Sequence, residues 1–306
     1  MHRAAYALLL MTTMFWGGNA VAGKMAVGHV SPMLLVVLRW AVAFAVLYAI
    51  GHRQLRADWS AIRPRLVYLS AMGFFGFAAF NLSLYGAFLY TTAVNGSIEH
   101  AGIPMAIFAL NFLIFRQRVL AGQIIGFMLT FAGVVLTAAH GDLAGLLRLD
   151  LNRGDALVLV AVLVYAGYTV YLRYRPAIHW QSYMIVLSAA ACLTAIPFAI
   201  AEHVAGATIW PDATGWSCVA YTAIFPSLLS QVFYMRGVEM IGANRAGLFI
   251  NLVPIFGTLL SLLVLGEALH GYHIVAMVLA FAGIGLAEWS GRRRAAGETP
   301  QASSAG

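Results

Sequence analysis

Ten apolar runs of about twenty residues alternate along the chain with short polar or turn-forming breaks. They cover approximately 5–27, 32–50, 65–89, 93–115, 120–139, 154–173, 180–201, 214–235, 243–264 and 270–289. A hydrocarbon core about 30 Å thick takes roughly 20 apolar residues per helix, so the pattern predicts ten transmembrane helices. The breaks include Ser31-Pro32, Arg53 to Arg65, Arg116-Gln117-Arg118 and Pro211-Asp212. After Trp289 the chain is polar and without periodicity, and disorder is expected over 290–306.

Composition agrees with an all-α integral membrane protein. Of the 306 residues 62% are hydrophobic and 9% charged, and the mean hydropathy is +0.84. Soluble domains carry about 25% charged residues to solvate their surfaces. The formal charge of +7 comes from basic residues scattered in the breaks, with no patch or stripe for nucleic acid. Cys192 and Cys218 lie in apolar runs and read as buried free thiols, so neither a disulfide framework nor a metal site is implied. No cofactor is expected, and the chain offers no basis for an oligomeric state.

Basic residues also set the orientation. With the N-terminus inside, Arg3, Arg53, Arg56, Arg63, Arg65, Arg116, Arg118, Arg173, Arg175, Arg236, Arg245 and Arg292 to Arg294 fall on the inner side. Only Arg148 and Arg153 fall outside, while Lys24 and Arg39 lie within helices. Fourteen against two places both termini in the cytoplasm of a bacterial-type inner membrane.

The two halves repeat. An offset of 150 residues lays the fourth and fifth runs on the ninth and tenth without a gap: Phe131-Ala132-Gly133 meets Phe281-Ala282-Gly283, and Pro104 meets Pro254. Asn81 meets Gln231 at the same offset, and at 149 Trp16, Gly18 and Lys24 meet Tyr165, Gly167 and Arg173. Five helices per half is an odd number, so the halves cross the bilayer in opposite senses. The expected architecture is two inverted five-helix repeats around a central cavity, as in many secondary transporters. The expected divisions are 1–139 for the first repeat, 140–153 for a connecting outer loop and 154–289 for the second repeat.

One stretch, FWGGNAVAGKM at 15–25, holds a near-match to a phosphate-binding loop, with Met25 where the hydroxyl should be. It also holds Ala20-Val21-Ala22, the form of a signal-peptide cleavage site. One apolar helix runs straight through it where a phosphate loop needs a strand before it. Cleavage there would remove the first member of the ten-helix repeat, so neither reading is expected to hold. Gly18, Ala22 and Ala26 form a small-residue seam for close helix packing instead.

WGGNAVAGK with SPMLLVVLRW, the segment around Pro104, and VPIFGTLLSLLVLGE with the FAG that follows it together resemble the EamA family of the drug/metabolite transporter superfamily. The resemblance extends from residue 5 to about 289. It implies ten helices, cytoplasmic termini, a cavity between the halves, and export or exchange of small metabolites, amino acids prominent among them. Glu267 matches the family's Gly-Glu, whereas its first-half counterpart is Gln117. A helix-capping role for Glu267 is the simpler reading.

Charge within hydrocarbon costs from about 2.5 to well over ten kcal/mol, so buried charged residues need a reason. At 1.5 Å per residue, Arg39 lies about 10 Å and Glu99 about 9 Å from the outer side. Equal depth makes an Arg39–Glu99 ion pair feasible, with His100 alongside. The same two residues could instead receive a substrate carboxylate and handle a proton or an amine. Lys24, near its helix end, can snorkel to the interface or stand at the cavity mouth.

Trp16 and Asn19 on the first helix, Asn81 and Tyr85 on the third, Tyr165 and Tyr168 on the sixth and Gln231 on the eighth are candidates to line a pocket for a small amphipathic solute. Packing and interface-belt roles compete for each. Pro104 and Pro254 fall about eleven residues into their helices, where each can kink its helix and take part in gating. No G-x-S-x-G or H-E-x-x-H motif is present, so an enzyme is not expected. The sequence points to a secondary transporter working by alternating access in the bilayer. A channel-like permease is the alternative, an intramembrane enzyme a more distant one.

Overall fold

The computed structural model describes residues 2–116, 120–138, 141, 152–241, 249–250 and 252–297. Gln117, the counterpart of Glu267, lies outside them. Among the described residues the chain is helical, with no strand. We number the helices α1 (His2–Met25), α2 (Pro32–Ala57), α3 (Trp59–Ala87), α4 (93–115), α5 (Ala121–Ala138), α6 (Arg153–Tyr174), α7 (Trp180–Val204), α8 (213–241), α9 (Val253–Leu265) and α10 (Gly271–Gly297). Five stretches are long and apolar enough to cross a membrane: α2, α3, α6, α7 and Ala213–Tyr234 of α8. Shorter apolar segments lie in α4, α5, α9 and α10.

α2 packs on α7, α4 on α9 and α5 on α10. α1 packs on α8 and α9, and α6 packs on α3 and α4. Adding five to each helix number turns this set of pairs into itself. At the α5–α10 crossing the relation reaches single residues. Thr130 Oγ1 donates to Ala280 O over 3.3 Å. A Cβ on Gly133 would come within 2.6 Å of Ala276 O, and one on Gly283 would strike Gly126 O. Only glycine lets the two backbones approach so closely.

Carboxylates at helix ends tie the halves together. The four leading N–H groups of a helix lack internal partners, and a carboxylate there also meets the positive end of the dipole. Ser31 before α2 provides no side-chain cap. Instead Glu202, at the end of α7, accepts from Met33 N and Leu34 N at 3.3 and 3.2 Å. At the opposite end of this helix pair, Asp58 after α2 accepts from His179 N, just before α7, at 3.0 Å. Glu267 takes the N–H groups of Ala93 and Val94 at the start of α4, at 3.0 and 2.9 Å. The capping role expected of Glu267 holds, but the helix it caps is α4, not the α10 that follows it. Glu267→Ala is expected to cost about 1 kcal/mol of stability, and Glu267→Gln distinctly less, read as a shift in thermal unfolding of the purified protein.

Where α2 and α8 begin, His29 Nδ1 lies 2.7 Å from Asp212 Oδ2, and Asp212 Oδ1 accepts from Gly215 N at 2.8 Å. The Gly215 N–H, followed by the His29 ring, holds the Asp212 carboxyl below its ordinary range. Its contribution is therefore complete above the unfolded value of about 3.9 and is lost as pH falls through the lower folded value. Thermal unfolding followed from about pH 6 to pH 3 should show this acid loss in the wild type and less of it in Asp212→Asn.

Some expectations need correction. Pro104 and Pro254 do not kink continuous helices. α4 breaks into Ala93–Glu99, a 3₁₀ turn at His100–Gly102, and Ile103–Phe115, so that Pro104 opens the last segment. Pro254 likewise stands in the first turn of α9. Proline fits there because the missing N–H would have no partner anyway. Disorder was expected after Trp289, yet α10 continues to Gly297, since Arg and Ala are good helix formers; residues 298–306 lie outside the described residues. Lys24 donates Nζ to Phe88 O at 2.9 Å and Thr91 O at 2.7 Å, fastening α1 to the end of α3.

Candidate functional site

The polar centre is built on π-turns. α3 passes through one at Phe74–Ala79 and α8 through one at Phe225–Leu229. A π-turn widens the helix by one residue and upsets the ordinary carbonyl pairing, a distortion frequent at functional sites. Asn81 Nδ2 donates to Phe77 O at 2.6 Å. In α8, Trp16 Nε1 donates to Pro226 O at 3.2 Å and Ser227 Oγ to Thr222 O at 2.9 Å.

Arg39 lies between these two helices, 4% exposed. Nε donates to Ser227 Oγ at 2.8 Å. Nη1 donates to Asn19 Oδ1 at 2.9 Å, to Asn81 Oδ1 at 2.7 Å and to the Tyr85 hydroxyl. Tyr85 in turn donates to Asn19 Oδ1 at 2.8 Å. Nη2 takes no part in these bonds. The guanidinium carbon stands 5.1 Å from the Trp40 ring centre and 5.8 Å from that of Tyr85, within cation–π range. Among the described residues no carboxylate approaches Arg39 within 4.0 Å. It is a buried cation held by neutral acceptors and aromatic faces.

The structure thus brings together Asn19, Arg39, Asn81 and Tyr85, four residues singled out from the sequence, and adds Ser227, which sequence reasoning missed. Serine is common in membrane helices, where it usually bonds its own backbone, so nothing in the sequence marked this one. Arg39 and Glu99 do not pair. Arg39 faces α1, α3 and α8, whereas Glu99 is fully buried on α4, one turn on from Asn95. Equal depth does not fix azimuth.

A row of aromatics leads from one to the other. Trp40 stacks on Phe77 at 4.5 Å, Phe77 meets Tyr168 at 5.9 Å, and Tyr168 meets Tyr165 at 5.5 Å. Phe80 then bridges Tyr165, at 5.1 Å, to His100, at 5.6 Å. Tyr168 packs over Gly76, where a Cβ would collide with its ring. Trp16 faces Tyr234 at 5.6 Å between ring centres. Gln231 is half-buried on α8, outside the Arg39 cluster.

A second polar chain links α4, α6 and α10. His273 Nε2 lies 2.9 Å from Asn95 Oδ1, Asn95 Nδ2 donates to Thr91 Oγ1 at 3.4 Å, and Thr91 Oγ1 donates to Asp155. All four side chains are buried.

Apolar helices enclosing a buried polar centre define a polytopic membrane protein of the transporter class. The chain belongs to the EamA-like transporter family, whose model matches it twice, at residues 3–139 and 152–288. It is 25% identical to the uncharacterized transporter YyaM of Bacillus subtilis, over 92% of this chain and 93% of that protein. It is 24% identical to a probable amino-acid metabolite efflux pump of Salmonella typhimurium, over 90% and 92% of the two chains. A solved crystal structure shares the fold at a TM-score of 0.61 and 20% identity, over 95% of this chain and 98% of its own.

Proposed function

We propose that the chain is a secondary transporter that exports or exchanges small carboxylate-bearing metabolites, amino acids foremost, by alternating access. The observation that carries this reading is Arg39: a buried guanidinium with no counter-ion among the described residues, four neutral acceptors and an Nη2 outside their bonds. A buried cation is costly without a partner, and a solute carboxylate supplies one on binding. Trp16, Asn19, Asn81, Tyr85, Tyr165, Tyr168 and Gln231 complete the solute's surroundings in this reading. Glu99 acts as a separate polar centre. The Salmonella relative's name agrees with an amino-acid cargo.

The mechanism rests on two inverted five-helix repeats, 1–139 and 154–289, joined through 140–153, in an inner membrane with both termini cytoplasmic. Support comes from the doubled family match, the self-mapping helix contacts and the basic residues gathered on one side. Pro104 and Pro254 open segments that follow breaks, and such breaks are where the half-helices would swing during gating.

A thermal-shift screen of the purified protein against amino acids, organic acids and nucleosides tests the cargo. Carboxylate-bearing solutes should raise the unfolding temperature while their amides and decarboxylated analogues do not. Stabilisation by nucleosides alone would sink the reading. Saturable counterflow of the stabilising solute in proteoliposomes separates a carrier from a channel.

A further inference from the structure

Glu99 has no visible reason to be charged where it lies. Its side chain is fully buried. Neither Oε1 nor Oε2 meets a hydrogen-bond donor, and no cation lies within 4.0 Å among the described residues. The ionisable groups on the elements packed against this part of α4 include Asp155 and Tyr165 on α6, His273 and Tyr272 on α10, Lys24 on α1, and His100 on the following turn. The described parts of α5 and α9 carry none. Lys24 is already committed to Phe88 O and Thr91 O. His100 Nδ1 faces Gly96 O at 2.5 Å, within its own helix. Asp155, the acidic neighbour, is itself buried and bonded to Thr91.

A carboxylate stripped of water, donors and counter-charge is among the costliest groups to bury, whereas the neutral acid costs far less. This packing therefore accommodates Glu99 only with its proton on. At the end of the bundle from which α2 and α4 begin, the Glu202 and Glu267 caps and the Lys24 bonds tie neighbouring helix ends together. On the orientation argued above, that is the outer end.

Resting on the transporter reading, we propose that Glu99 is a proton-binding site through which solute export is exchanged for proton entry. Glu99 takes a proton from the outer side when the outer end is open, and the neutral acid permits the arrangement seen here, in which the outer helix ends are tied together. Opening towards the cytoplasm then lets water reach the carboxyl, which releases the proton inside. The carboxylate form favours the return step, in which the solute at Arg39 is carried out. Each cycle moves one proton in and one solute out, with Glu99 passing between COO⁻ and COOH. The aromatic row from Trp40 to His100 connects the two centres without a direct bond between them.

Two measurements test this. Infrared spectra of the full-length protein at neutral pH should contain the carbonyl stretch of a carboxylic acid lacking hydrogen bonds. That band should disappear in Glu99→Gln and persist in Glu267→Gln. In proteoliposomes, a one-unit pH gradient, acid outside, should sustain about a tenfold gradient of the solute found by thermal shift. Glu99→Gln should lose the pH-driven component, because the amide imitates the neutral acid and has no proton to release inside, while the solute bound at Arg39 still raises its unfolding temperature. Absence of the infrared band, or gradient-driven transport in Glu99→Gln equal to wild type, would overturn the proposal. Failure of wild-type counterflow would instead count against the transporter reading, and the infrared band would still decide whether Glu99 holds a proton.

Discussion

Arg39→Met is expected to abolish stabilisation by carboxylate-bearing solutes while leaving the protein folded, and Arg39→Lys to do little better. Losing one member of a desolvated charge pair costs about 2–5 kcal/mol of binding, roughly 30-fold to several thousand-fold. Folding should survive because each neighbour keeps a bond of its own. Tyr85 still donates to Asn19, Asn81 to Phe77 O and Ser227 to Thr222 O. Removing an uncompensated buried charge can even raise the unfolding temperature. Lysine restores the charge but not the planar fork that reaches Ser227 through Nε and three acceptors through Nη1. Solute titrations followed by thermal unfolding provide the check. A variant that collapses would make Arg39 a structural residue, and unchanged solute stabilisation would remove it from the site.

The α5–α10 crossing should tolerate added side-chain bulk poorly. Gly283→Ala sets a methyl against Gly126 O and the Thr130 side chain, and Gly133→Ala sets one 2.6 Å from Ala276 O. The obstacles include opposing backbone, which cannot rotate aside, so the helices must part. Each change is expected to cost about 1–3 kcal/mol, and leucine at either position more. Gly285→Ala is the control. It has nothing within 4 Å of the added methyl and should be neutral or stabilising by up to about 1 kcal/mol. Monodisperse yield in detergent and unfolding temperature would separate the three variants. Equal behaviour at Gly283 and Gly285 would show that the close approach is not what matters.

What could be read from the sequence follows from what a bilayer penalises. Asn19, Arg39, Asn81 and Tyr85 stood out because polar groups in hydrocarbon need partners, and the structure gathers them into one cluster. Helix limits such as 32, 93 and 180 were readable because proline, threonine and polar breaks punctuate an apolar pattern. Facing was not: depth along a helix is proportional to residue count, but azimuth depends on packing and on π-turns that shift the register. Hence Glu99 was placed beside Arg39 and lies elsewhere. Ser227 carried no signal at all. The prolines were read as kinks because an apolar run does not reveal where its hydrogen bonding has already been interrupted.

The carboxylate caps also bear on how the chain is made. α2 lacks an acceptor for its first N–H groups until residue 202 has been synthesised, and α4 waits for residue 267. A first half just released into the bilayer therefore has two helix starts with donors unmatched by its own residues. Assembly of that half is completed by the other, so ribosomal order sets a schedule in which the earliest helices reach their final seats last. A chain cut between its halves would need both fragments present together before either became resistant to membrane quality-control proteases.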